Sequence, residues 1–375
     1  MIINNAKVYR NGHFESASIE FDSHIRSFSP GEGMDACGAY IIPGLIDVHT
    51  HGAMGIDASD CTAEQIHHLA QFYSDNGVTS FCFTTLTVPA DELRGAMKNI
   101  RAYERFGGEA KCTGVHLEGP FVSRGKCGAQ NPDNILKPDI ALFNELNELS
   151  GGMVRLITVA PEVEGALDFI REASKVCTVS LGHSTADYDQ AMAGFEAGAT
   201  HVTHLFNGME PFHHRKPGLV GAALTAGANV ELICDGVHIH PAMILAVHKM
   251  FGDRLIIVSD SLRCAGLCDG RYNLGGLPMI VRAGRATLLD GTIAGSSSNL
   301  LQELRNVVSY GVPLEAAVKS MTETPAKDIG VFDSIGSLDV GKCADFLVLN
   351  KDLKLMATFI DGRLVNGTTD FESVK

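Results

Sequence analysis

An α/β fold is predicted for this chain: a closed (β/α)8 TIM barrel carrying a small β-sandwich domain built from both chain ends. Three observations predict it. Eight short apolar runs alternate with helix-length segments through the middle of the 375 residues, the pattern of parallel strands joined by crossover helices. That middle stretch is of barrel size, about 250 residues or slightly more. Both ends of the chain alternate apolar and polar residues instead, so two short β segments far apart in sequence can pair and bring the ends together. An open doubly wound sheet is the alternative arrangement of the same strands.

The elements follow in order. Ala6-Lys7-Val8-Tyr9 and Ala17-Ser18-Ile19-Glu20-Phe21 flank Asn11-Gly12, a hairpin turn signal. The barrel strands are expected at 42–49, 78–85, 114–118, 155–160, 178–183, 201–206, 230–235 and 255–260. Between the first two, Thr62-Ala63-Glu64-Gln65 has the form of a capping box and its helix runs to Gly77; Pro89 opens the next helix, with Asp91 and Glu92 in its first turn. After the eighth strand, 271–293 reads as an inserted hairpin, and helices near 298–310 and 313–321 close the barrel. Ala344 to Leu349 and Met356 to Ile360 are strand-like, with Asp361-Gly362 as a turn. The division expected is 1–42 plus 336–375 for the β domain and 43–335 for the barrel.

Composition narrows the class. At 45% hydrophobic and 20% charged, with no low-complexity block, the chain is globular. A formal charge of -14 speaks against a nucleic-acid surface. The ten cysteines are scattered, several in apolar runs, as reduced core cysteines are. No signal peptide opens the sequence and no apolar stretch reaches the roughly 18 to 20 residues of a membrane span, so a cytoplasmic protein with no membrane partner is expected.

Polar residues fall at one end of the predicted strands. His49 and His51 end the first, Glu118 the third, His183 the fifth and Asp260 the eighth, while His204 lies near the end of the sixth, where His201 competes with it. Carboxyl ends of barrel strands form the catalytic face. His49 and His51 also share a face if the strand continues, since side chains at i and i+2 point the same way. Four histidines and two carboxylates suit zinc or iron and not magnesium or calcium, which prefer oxygen shells. They are enough for one or two divalent ions with a bridging carboxylate. Such an ion can bring the pKa of bound water from about 15.7 to about 7, and Asp260 is placed to take that proton and return it to a departing amine.

The run Pro43-Gly44-Leu45-Ile46-Asp47-Val48-His49-Thr50-His51 resembles the opening signature of the amidohydrolase superfamily. The ordered set around His116 to Phe121, Leu181 to Ser184, Thr203 to Asn207, Asp235 to His238 and Ile293 to Ser296 is similar, over nearly the whole chain, to its N-acetylglucosamine-6-phosphate deacetylases. The resemblance implies a hydrolase of a linear amide that removes acetate from an N-acetylated amino-sugar 6-phosphate by metal-bound hydroxide, in a homodimer. It implies that Glu118, His183 and His204 hold the principal metal, that His49 and His51 complete a second site, and that Asp260 is the catalytic aspartate beside it.

Substrate contacts are expected from the loops on the same face. Asn207, Gly208 and Arg215 follow the sixth strand and His238 the seventh; Arg215 offers the donor fork that phosphate recognition favours. The resemblance adds Ala129, Ile293, Ala294, Gly295 and Ser296, and implies that the Arg215 loop reaches a neighbouring subunit's site. His213 and His214 have no assigned role. Two departures bear on the substrate: Gln130 stands where the family commonly has a histidine, and the run Asp260-Ser261-Leu262-Arg263 stands where a small apolar residue commonly follows the aspartate, so Arg263 either reshapes the sugar pocket or points outward. The rival readings are deacetylation of N-acetylgalactosamine 6-phosphate, hydrolysis of another small amide, and a non-catalytic amidohydrolase-like scaffold.

Overall fold

The computed structural model describes residues 1–371, so the last four residues of the expected end segment lie outside the described residues. Eight parallel strands follow one another around the barrel in sequence order: Leu45–Thr50, Val78–Thr85, Lys111–Glu118, Val154–Val159, Thr178–Leu181, His201–Val202, Asn229–Ile233 and Leu255–Val258. A helix follows each, from Ala63–Asp75 after the first to Leu300–Ser309 after the eighth. The Thr62 capping box forms as its sequence requires, with the Thr62 hydroxyl accepting from Gln65 N–H and the Gln65 side chain reaching back.

The seam between the first and eighth strands is closed by individual bonds. Asp260 N–H donates to His49 O at 2.9 Å, and Thr50 and Ser261 bridge in parallel. Beneath them Asp47 is buried and accepts from Ser259 Oγ at 2.5 Å and from the backbone N–H groups of Ser259 and His49 at 3.3 Å. Burial pushes its carboxyl up to about 6 against those hydrogen bonds. A small apolar cluster of Ile46, Val48, Cys82, Ile233, Ile256 and Val258 is completed by Ala326 and Ile329, contributed from the helix Glu323–Asp328 and its cap.

The chain ends form a second eight-stranded sheet. The hairpin Ile2–Arg10 and His13–Phe21 turns at Asn11-Gly12, both in left-handed conformation, and packs beside Tyr40–Pro43, Phe346–Leu349, Leu355–Ile360 and Arg363–Gly367. Its own core includes Ile3, Val8, Phe21, Phe346 and Phe359, the last two rings stacked at 4.6 Å. The run 42–49 is therefore not one strand: it is divided at Gly44 between the two sheets, where an added Cβ would come within 2.1 Å of Thr79 Oγ1. Lys111 Nζ joins the units by reaching Asp345 at 2.7 Å and Asp361 at 2.5 Å.

The inserted segment differs from its expectation. It is a three-stranded antiparallel sheet, Gly270–Leu274, Leu277–Arg282 and Arg285–Leu288, and not a two-stranded hairpin. A third strand gives a short ribbon the partner that a lone hairpin lacks. Its first turn lies over the catalytic face, with Gly275 O accepting from Asn131 Nδ2 at 3.3 Å.

Candidate metal centre and active site

Three of the predicted residues sit just beyond their strands. The fifth, sixth and eighth strands stop at Leu181, Val202 and Val258, two residues before His183, His204 and Asp260. Each of those three has positive φ, at 46°, 25° and 46°. A non-glycine residue cannot continue a strand with that backbone, and holding it there costs about 1–3 kcal/mol, a strain typical of functional positions. The turn swings each side chain off the strand line and toward the barrel axis. Gly208 then packs against His183, with φ +60°, where an added Cβ would meet His183 Nδ1 at 2.8 Å.

Two donor clusters result, sharing Glu118. In the first, Glu118 Oε1 lies 3.1 Å from His183 Nε2 and 2.8 Å from His204 Nε2, and the two imidazoles are 3.1 Å apart. In the second, His49 Nε2 and His51 Nε2 are 3.3 Å apart, with Asp260 Oδ1 at 3.5 and 3.2 Å. Glu118 Oε2 faces the second cluster, 3.2 Å from His51 Nε2. All six side chains are buried.

The chemistry of this donor set fits a cation. His51 Nδ1 lies 3.0 Å from Thr84 O and His183 Nδ1 2.9 Å from Lys126 O. A carbonyl can only accept, so each Nδ1 carries a proton, and each Nε2, once free of its own proton, offers a lone pair inward. Lone pairs converging at this spacing match ligands held about 2.0–2.1 Å from a tetrahedral zinc. The carboxylates register the same demand for positive charge. Burial opposes charge on Glu118, but His49 and His183 hold it well below the usual range; Asp260 is likewise lowered against burial by His49 and His51. Burial disfavours the charged imidazole of His51, yet Asp260 and Glu118 raise it to about 9. Protons stand there for the charge that a metal would bring.

Above the clusters opens a cavity of about 180 Å³. Among the predicted residues, His51, Glu118, Ala129, Gln130, His183, His204, Asn207, Gly208, His238, Asp260, Ile293, Ala294 and Gly295 line it, with Leu86, Leu262 and Leu274 as apolar wall. His238 is held between Asp235 Oδ2 at 2.8 Å and Ala294 O at 2.7 Å. Ser296 is not at the wall: its hydroxyl donates to Ser259 O at 2.5 Å. Nor is Arg215, which lies exposed beside His214, with Nη1 2.8 Å from His214 Nε2.

The two departures are placed as well. Gln130 Nε2 donates to Glu118 Oε2 at 2.5 Å, while its Oε1 accepts from Thr87 N–H at 2.7 Å, so both ends of the amide are engaged inside the protein. Arg263 turns from the cavity to pair with Asp60 at 2.6 Å and Asp57 at 3.5 Å. His201, the competitor of His204, is buried with Nδ1 3.0 Å from Ser180 Oγ and does not line the cavity.

Sequence reasoning missed Asp47 and Glu231. Each is a lone carboxylate inside an apolar parallel strand, where both faces are normally covered by apolar residues, and that anomaly was the available signal. Among the described residues, Cys343, Asp345 and Asp361 also form a donor group, but the Lys111 ammonium already neutralises it.

The amidohydrolase family model matches residues 40–365. The chain is 36% identical to an N-acetylglucosamine-6-phosphate deacetylase of Bacillus subtilis over 86% of this chain and 84% of that one. It is also 36% identical to an N-acetylgalactosamine-6-phosphate deacetylase of Escherichia coli O157:H7, over 87% and 88%. A solved N-acetyl-D-glucosamine-6-phosphate deacetylase of Mycobacterium smegmatis, an aspartate-to-alanine mutant in complex with N-acetyl-D-glucosamine-6-phosphate, superposes with a TM-score of 0.91 at 30% identity, covering 97% of this chain and 99% of that one. With a catalytic-face donor set of this kind and a match across most of its length, the chain belongs to the amidohydrolase family.

Proposed function

We propose that the chain hydrolyses the amide of N-acetyl-D-glucosamine 6-phosphate, releasing acetate and D-glucosamine 6-phosphate. The observation that carries this reading is a single cavity with two histidine–carboxylate clusters on its floor and Asp260 beside them. Relatives at 30% identity or more that match over most of their length include amino-sugar-phosphate deacetylases.

Glu118, His183 and His204 would hold a principal divalent metal, and His49 and His51 with Asp260 a second; zinc or iron suits these ligands. When bound, the metal supplies Lewis-acid polarisation and acidifies water. Asp260, held on the ionised side by the imidazoles around it, accepts a proton from the attacking water at its carboxylate. It returns that proton to the sugar nitrogen, which leaves poorly as an anion and readily as an amine. Leu86, Leu262 and Leu274 exclude bulk water from the apolar side. His238, Asn207 and Ala129 orient the sugar, Gln130 holds Glu118 beneath it, and Ile293 to Gly295 form the opposite wall. Ser296 supports that wall from behind through Ser259.

Arg215 fits phosphate chemistry but stands outside its own chain's cavity. A homodimer in which this loop completes the neighbouring subunit's site accounts for both facts, and exposed Phe212 beside it supplies an apolar contact. No helix among the described residues is long and apolar enough to cross a membrane, and a cytoplasmic enzyme is the proposed setting. N-acetylgalactosamine 6-phosphate is kept as a second substrate reading, because a relative of that name matches at the same 36% identity.

The test is acetate release from both 6-phosphates and from the unphosphorylated sugars. Fastest turnover on the glucosamine 6-phosphate is expected. Equal rates with and without phosphate would remove phosphate recognition, and no acetate from any of them would overturn the proposal.

A further inference from the structure

The seventh strand carries Glu231, a fully buried carboxylate to which the reaction above gives no part. Its Oε2 accepts from His49 Nδ1 at 2.8 Å and from the backbone N–H of His204 at 3.1 Å. Its Oε1 has no hydrogen-bond partner among the described residues. Burying a carboxylate half-satisfied inside a barrel is costly, and packing alone does not call for it.

The four imidazoles of the two clusters differ in what stands behind them. His51 and His183 have backbone carbonyls, and His204 Nδ1 has no partner among the described residues. His49 alone has a carboxylate. A carboxylate behind an imidazole fixes the proton on the outer nitrogen and makes the inner one a stronger donor. Glu231 also adds a third negative charge to those of Glu118 and Asp260, offsetting more of the positive charge that two divalent ions bring together.

We infer that Glu231 is a positioning residue that commits the His49–His51 pair to a second divalent metal. It acts through His49, and its bond to the His204 amide ties the second cluster's carboxylate to the backbone of the first. This rests on the reading of the centre as a metal hydrolase.

The experiment uses the full chain, stripped with a chelator and titrated with Zn2+ against a chromophoric competitor, with zinc counted after gel filtration and no substrate present. Wild type is expected to take up two zinc ions. Glu231→Gln keeps the volume and an acceptor but removes the charge. Its weaker site is expected to lose about 10- to 100-fold in affinity while the tighter one is unchanged. Two sites of wild-type affinity in Glu231→Gln would overturn the inference, as would a lowered unfolding temperature with an unaltered zinc count, which marks a merely structural role. His49→Gln is expected to lose the second zinc by itself, and adding Glu231→Gln to it is expected to change nothing further; an additional loss would overturn the route through His49. Should Glu231→Gln not fold, Glu231→Asp, which withdraws the carboxylate from His49, is read by the same criteria. The zinc count also separates this inference from the functional one. A wild type with two zinc ions and no acetate release defeats the function alone, and a wild type with one zinc defeats the inference.

Discussion

The two donor clusters share Glu118, yet their histidines are held by different means. His49 and His51 lie on or directly after the first strand, where its pairing with the second shifts register between Asp47 and Thr50, and are braced from behind by Glu231 and Thr84 O. His183 and His204 stand on separate loops in left-handed backbone; the outer ring nitrogen meets Lys126 O in one case and no partner among the described residues in the other. One histidine pair is held at a strand end by buried charge, with Asp260 beside it on a left-handed turn of its own. The other is assembled by turns that hold strain, a common way to aim a ligand from a strand end. Neighbouring donor clusters of similar residue type can thus differ in what keeps their side chains in place.

The largest expected effect tests the residue that faces the braced pair. Asp260→Asn should bind metal and sugar phosphate but lose about 10²- to 10⁴-fold in kcat, the usual reach of general acid–base catalysis. Steady-state kinetics beside a metal count checks it, and near-normal turnover would remove Asp260 from proton transfer. A smaller effect separates the clusters themselves. Replacing His49 and His51 together with Gln should lower metal stoichiometry toward one and slow turnover without abolishing it, whereas His183→Ala should remove the principal ion. Equal losses in both variants would mean that the clusters act as one unit.

Gln130 sharpens the comparison further, because it grips the Glu118 oxygen that faces the His49–His51 side. Gln130→Ala should weaken metal binding about 10-fold or more, as loss of an outer-shell partner does. If KM alone rises and metal affinity is untouched, Gln130 is a substrate contact and not a clamp.

The smallest effect lies outside both clusters. Glu303 is buried, accepts from Cys234 N–H at 2.8 Å through one oxygen and has no hydrogen-bond partner among the described residues for the other. Burial, the largest cause, raises its pKa well above the ordinary value, with Asp235 adding to it. The folded state then binds a proton that the unfolded state releases above about pH 4.3. Its contribution is most favourable below that pH and is lost as pH rises toward the folded pKa. Glu303→Gln should therefore gain in melting temperature over wild type between about pH 5 and pH 8. A constant difference across that range would show that Glu303 is not protonated in the folded chain.

Much of this was legible in the sequence because it depends on local rules. The Thr62–Gln65 box, the Asn11-Gly12 turn and the eight apolar runs follow from capping, left-handed turn preference and strand burial, each acting over a few residues. The His49–His51 pairing belongs to the same kind, since period two in a strand is independent of the rest of the fold. Strand ends were less legible. The runs 178–183, 201–206 and 255–260 look continuous, but a positive φ at His183, His204 and Asp260 is imposed by surroundings far away in sequence. Gly44 hid a division between two sheets in the same way, because Thr79, which forbids a side chain there, comes from the next strand.

By itself, then, the sequence determined the alternation of strands and helices, the pairing of the chain ends and the set of residue types able to bind a metal, all consequences of periodicity and side-chain chemistry. Only the tertiary structure decided that Glu118 faces both clusters, that His204 and not His201 joins it, that Gln130 turns to Glu118, that Arg215 stands outside its own cavity, and that Glu231 stands behind His49. Those outcomes depend on which side chains a closed barrel brings within about 3 Å, the range in which hydrogen bonds form. Distance of that kind is a property of the closed ring of strands and is written in no single stretch of the chain.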